Sequence, residues 1–191
     1  DTVLVCADGT HTPSAKVDWD TNAGTSAAPI VFRGCGAAGT DDGTVATITG
    51  ASIVADDLFS FSLATAVTFW IFENLRLTAS TADNLDFGTG LSSANFLFVN
   101  CRIDSAAGDG MQEADSGTLV FLVDCEIDSN GDDGLGASAI ASRGTWSLFR
   151  CRVHDNGGVG IEAGGLGQTS LSKSLIYDNG SDGVTLATTG S

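Results

Sequence analysis

The chain has 191 residues, with 24 Asp and Glu against 8 Lys and Arg, and a net charge of −16. That charge repels phosphate backbones and excludes nucleic acid as a natural partner. Anionic membranes and anionic polysaccharides are repelled too, unless a cation bridges the two surfaces. Glycine is plentiful at 25, proline scarce at 2, and no stretch carries a helical period, so the composition predicts one β domain with many tight turns.

The first predicted strand is "TVLVC" (2–6), closed by a Gly-Thr-His turn at 9–11. "VDW" (17–19), "PIVFRG" (29–34), "TVATITG" (44–50) and "LFSFSL" (58–63) follow as short strands. The most apolar stretch, 58–72, is broken by Ser and Thr and closed by Glu73. It is too short and too polar to cross a bilayer. No signal peptide is read, the first residue is Asp1 and the last strand has no obvious cap. The chain is therefore expected to be a mature or trimmed piece of something longer.

From residue 67 onward the sequence repeats. "LRLTASTADNL" begins at Leu75, "CRIDSAAGDGM" at Cys101, "CEIDSNGDDGL" at Cys125, "CRVHDNGGVGI" at Cys151 and "SLIYDNGSDGV" at Ser174, at steps of 26, 24, 26 and 23 residues. Columns at fixed offsets are apolar: Phe72, Phe98, Leu122, Leu148, Leu171 before the anchor; Leu77, Ile103, Ile127, Val153, Ile176 and Leu85, Met111, Leu135, Ile161, Val184 after it. Asn84, Gly110, Gly134, Gly160 and Gly183 share a column that predicts a positive φ. A period near 25 that alternates short strands with Gly, Asp and Asn turns fits a coil of three strands. Coils stacked about 4.8 Å apart would make a rod roughly 35 Å long from about seven coils. A leucine-rich repeat has a similar period, but its leucine signature and helical segment are absent. The expected domain spans 1–191, with weak coils over 1–66 and clear repeats over 67–191.

The repeat pattern (apolar, two residues, Asn or Cys, one residue, Ile or Val, two residues, Asn, three residues, Gly, then Ile or Val) resembles that of the right-handed parallel β-helix proteins of the pectate-lyase-like superfamily. The opening "DTVLVCADGTH" (1–11) followed by "AGTSAAPIVFRG" (23–34) is similar to the entry into the first coil of such proteins. The resemblance implies an all-β, single-stranded right-handed solenoid. It implies that Cys101, Cys125 and Cys151 occupy the short corner where the family often stacks Asn. It also implies packing rather than catalysis for His11, where the family often has an aromatic. The family's enzymes cleave polysaccharides at the third strand of the coil and its flanking loops. Its lyases usually need a basic residue there, and no Lys or Arg accompanies the acidic residues at that place, which counts against a lyase.

Five cysteines leave at least one unpaired within the chain. Cys101, Cys125 and Cys151 are expected to stack as a buried thiol ladder, with parallel Cβ vectors that disfavour bridging. Cys6 and Cys35 are possible neighbours, bridged or not. No cysteine or histidine has zinc spacing.

Two faces are candidates for chemistry. Eight residues after the anchor lie Asp83, Asp109, Asp133 and Asp182, with Asp86 and Glu162 on the following strand and Glu113 and Asp132 close in sequence. Asp83, Asp109, Asp133 and Asp182 are candidate ligands of a calcium ion, the one cofactor considered. Asp109, Asp133 and Glu162 are candidates for divided acid and base roles in glycoside hydrolysis. The plainer reading is that Asp favours turns through local hydrogen bonds. The second face gathers Arg76, Arg102, Arg150, Arg152 and Lys173, five of the eight basic residues. Offsets −1, +1 and +3 from the anchor are all expected to point outward. Arg76, Arg102, Arg152, His154 and Tyr177 form a candidate contact surface for carbohydrate or protein. The plainer reading there is ion pairing between coils, with Arg102 and Arg152 flanking Glu126. The expected function is a non-catalytic β-helix module of a secreted, cell-surface or virion protein, for carbohydrate or protein contact or as a spacer. The alternative is a polysaccharide lyase or glycoside hydrolase at the acidic stripe. Stacked coils need covered ends, so neighbouring domains or a homo-oligomer are expected partners.

Overall fold

Period-two alternation sets the local structure. In Thr68–Glu73, TFWIFE, the side chains of Thr68, Trp70 and Phe72 are buried while Phe69, Ile71 and Glu73 are turned toward the outside. Ala94–Val99 repeats the alternation in parallel register, setting Phe96 on Trp70 and Phe98 on Phe72. The computed structural model describes residues 2–19, 25–37, 39–40, 42–61, 68–88, 94–113, 117–137, 144–164 and 167–186. These form three seven-stranded parallel sheets, and the chain visits each sheet once per coil in a right-handed solenoid. One full coil is Ala94–Val99, Arg102–Asp104 and Met111–Glu113. The weak early coils expected from sequence are present as Thr2–Cys6, Val17–Trp19, Ile30–Cys35, Ala46–Thr49 and Phe59–Phe61. No helix occurs among the described residues, and none is long and apolar enough to cross a membrane.

The core is a stack of like side chains. Phe32, Phe72 and Phe98 lie over one another with centroids 5.3 and 4.8 Å apart and planes within 11°. Cys101, Cys125 and Cys151 form the expected buried column. Their thiols lie 3.4, 3.5 and 3.3 Å from the carbonyls of Phe72, Phe98 and Leu122 in the preceding coil. All five cysteines are free, including Cys6 and Cys35, which face each other in register. The adjacent Cys6 thiol and burial push Cys35 up to about 11.

The corners differ from the sequence expectation. Positive φ falls at Asn74, Asn100, Asp124, Arg150 and Lys173, between the first and second strands, and at Ala79, Ser105, Ser129, Asp155 and Asp178, after the second strand. It does not fall at Gly110, Gly134 or Gly160, where close approach excludes a side chain instead. A Cβ on Gly110 would lie 2.6 Å from the Gly134 carbonyl and 2.7 Å from Asn130 Nδ2.

An asparagine ladder does exist, but in the longer turn rather than at the short corner. Asn130 Nδ2 donates to Asn156 Oδ1 and Asn156 Nδ2 to Asn179 Oδ1, both at 2.9 Å. The Oδ1 atoms of Asn130, Asn156 and Asn179 also accept a backbone amide from the coil before: Ala106, Asn130 and Asn156 respectively. The stack thus satisfies turn amides that would otherwise be buried unpaired.

Candidate functional site

The acidic column is a second ladder. Asp57 Oδ1 accepts from the Asp83 amide at 3.1 Å, Asp83 from Asp109 at 2.7 Å, Asp109 from Asp133 at 2.8 Å, and Asp133 from Val159 at 2.6 Å. Each aspartate therefore caps the turn of the next coil rather than its own. Glycines make room for it: a Cβ on Gly108 would sit 2.3 Å from Asp83 Oδ1, and one on Gly136 2.1 Å from Asp109 Oδ2. Asp57 extends the ladder one coil earlier, beyond the five aligned repeats. The next rung after Asp133 is Val159, which breaks the column before Asp182.

Burial raises these carboxyls, and neighbouring carboxylates add to it. Asp83 and Asp86 are pushed up to about 6 and Asp109 to about 7, while the amide hydrogen bond to Asp109 is a partial offset. Asp109 is only 5% exposed, and its second oxygen accepts from the Gln112 side-chain amide. One oxygen each of Asp109, Asp132 and Asp133 lies within 4.8 Å of the others, an arrangement of hard ligands suited to a cation. Asp83 and Asp182 are not part of that group. Glu162 lies on the outward side of Ile161–Ala163, where its backbone carbonyl accepts from Trp146 Nε1 at 3.2 Å. Glu113 is inward and buried, with its carboxyl against the Cα of Gly144.

On the other face, the four arginines are joined to carboxylates between coils. Arg102 forks onto Asp128 at 2.9 and 2.7 Å, Arg76 onto Asp104, and Arg150 onto Asp124. Arg152 reaches Glu126 at 3.0 Å. Asp104 and Asp128, expected to point outward, are 1% and 3% exposed. The strand ends at these residues and the chain turns through positive φ at the next one. The carboxylate is thereby tucked beneath the guanidinium of the preceding coil. Arg102 accordingly pairs with Asp128, not with Glu126.

His154 bridges Asp155 at 2.8 Å and Glu126 at 3.1 Å, and its ring stacks on Tyr177 at 4.7 Å. Burial lowers its pKa, but the hydrogen bonds to the two carboxylates outweigh that and raise it overall. Glu126, Asp128 and His154 are a second group whose ligand atoms converge within 4.8 Å.

Two hollows follow from this stacking. A groove of about 500 Å³ runs along the corner between the first and second sheets, lined chiefly by Arg76, Arg102, Arg150, Arg152, Asp124 and Glu126. An apolar hollow of about 360 Å³ lies on the outer face of the first sheet beside Phe69, Ile71, Leu97 and Phe121.

A family model described as a right handed beta helix region matches residues 89–191. No curated protein matches the chain. Among solved structures, the crystal structure of pectate lyase Pel9A is similar, with a TM-score of 0.60 and 17% identity over 97% of this chain. The chain spans 59% of the length of that protein, and the likeness is one of fold.

Proposed function

The chain belongs to the right-handed β-helix family, and on that footing we propose that it is a non-catalytic module of a secreted, cell-surface or virion protein. It presents rigid, elongated faces to carbohydrate or protein and holds its neighbours apart as a spacer. One observation carries this reading: four aspartates of the acidic column and the four arginines of the first corner are bonded to adjacent coils. Asp57, Asp83, Asp109 and Asp133 cap amides. Arg76, Arg102, Arg150 and Arg152 are matched by Asp104, Asp128, Asp124 and Glu126. An acid or base for hydrolysis must reach substrate within hydrogen-bond range, and Asp109 is buried with both oxygens engaged.

The second reading, calcium-assisted cleavage of a polysaccharide, draws on the convergence of Asp109, Asp132 and Asp133 and on the raised pKa of Asp109. The test is a polysaccharide panel incubated with and without calcium, with reducing ends and unsaturated products measured. No turnover is expected. Turnover that Asp109→Asn or Asp133→Asn abolishes would overturn the non-catalytic reading.

A further inference from the structure

The groove along the first corner combines donors and acceptors. Four guanidinium groups and two carboxylates line it, with Asn100 at its edge. Asp104 and Asp128 lie behind Arg76 and Arg102. The four arginines are thus balanced by four carboxylates, in a chain whose net charge is −16. Each of the three forked pairs uses Nε and Nη2 of the arginine, which leaves Nη1 outside the pair. The forks are fixed before any ligand arrives, so little side-chain entropy is lost on binding. The groove runs along the solenoid axis, and like positions recur about every 4.8 Å, close to the extent of one sugar ring along an extended glycan.

We propose that this groove binds a linear, neutral glycan lengthwise. This names a ligand for the contact-module reading and rests on it. Hydroxyl groups both donate and accept, and the groove offers both: guanidinium N–H from Arg76, Arg102, Arg150 and Arg152, and carboxylate oxygen from Asp124 and Glu126. A polyanionic chain meets no surplus of positive charge in the groove and is repelled by the rest of the molecule. A neutral chain meets no such barrier. The site lies at the corner between the first and second sheets, away from the acidic column beside the third.

Titration calorimetry of the chain with cellohexaose, mannohexaose, xylohexaose, laminarihexaose and hexagalacturonate tests this, with a reducing-end assay run on the same mixtures. At least one neutral hexasaccharide is expected to bind, and hexagalacturonate to bind more weakly, with the gap narrowing as salt screens the charge. Replacing both Arg150→Ala and Arg152→Ala is expected to weaken binding about tenfold or more. Both side chains are more than half exposed, so the melting temperature is expected to be nearly unchanged. Three results would overturn the inference: no binding of any neutral oligomer up to about 1 mM, affinity indifferent to the double variant, or tighter binding of hexagalacturonate. Absence of binding leaves the module reading with a protein partner. Turnover abolished by Asp109→Asn would instead overturn the non-catalytic reading and leave the groove to be decided by the arginine variants.

Discussion

Replacing Asp109 with Asn separates a structural carboxyl from a catalytic one. Burial holds the folded carboxyl up at about 7, against an ordinary value of 3.8. A carboxyl raised on folding binds its proton more tightly in the folded state. Its contribution is therefore most favourable below about pH 4 and declines as pH rises through the interval to about 7. About three pKa intervals at 1.36 kcal/mol each give about 4 kcal/mol as the upper bound of the decline. Asn mimics the neutral acid in shape. It keeps an oxygen for the Asp133 amide, and its NH₂ can meet Gln112 Oε1, which is buried without a hydrogen-bond partner among the described residues. Urea unfolding of both proteins is expected to show equal stability near pH 4 and a gain for the variant of about 1–4 kcal/mol near pH 8. Taking the difference between the two proteins removes the shared effect of the large net charge. A variant less stable than its parent near pH 8, or a difference that does not change with pH, would refute the reasoning.

Two further outcomes follow from the ladders. Asn156→Ala removes four hydrogen bonds, to the Asn130 amide and side chain, the Ile127 carbonyl and Asn179. A loss of about 3 kcal/mol is expected in chemical denaturation, and a loss under about 1 kcal/mol would show that the ladder adds little. Native labelling with a thiol reagent is expected to modify partly exposed Cys6 first and to spare Cys101, Cys125 and Cys151 until the chain unfolds. Hydrogen bonding between neighbouring thiols, together with burial, pushes Cys125 and Cys151 well above the ordinary thiol range. Fast labelling of the three stacked thiols would contradict that ladder.

The apolar columns were legible because each is fixed by strand alternation and by a constant coil length. Phe98 over Phe72 and Ile103 over Leu77 follow from spacing alone. The early strands were legible for the same reason, although their coils depart from the eleven-residue pattern. The repeat pattern contains the asparagine that Asn130, Asn156 and Asn179 share at one offset, but it does not show that their side chains bond to one another. Ser80 and Ala106 fill that offset in the first two repeats, and Asn84 sends its amide to Asn130 Oδ1 from a different position, at 3.5 Å. The glycine column points to positive φ only because glycine answers two demands, unusual backbone angles and close approach. Sequence does not say which demand operates.

Periodicity along the chain is enough to read the three-strand coil, its apolar columns and a count of about seven coils, whereas the parallel β-helix and the place of Cys101, Cys125 and Cys151 at its corner come from the family resemblance of the repeat. Tertiary structure alone decided what the polar residues do. Whether Arg102 meets Glu126 beside it or Asp128 two residues further on depends on the corner dihedrals and on how one coil sits over the next. Whether Asp109 faces solvent or caps the Asp133 amide depends on the same stagger. Those lateral offsets are properties of stacked coils, and no single repeat encodes them.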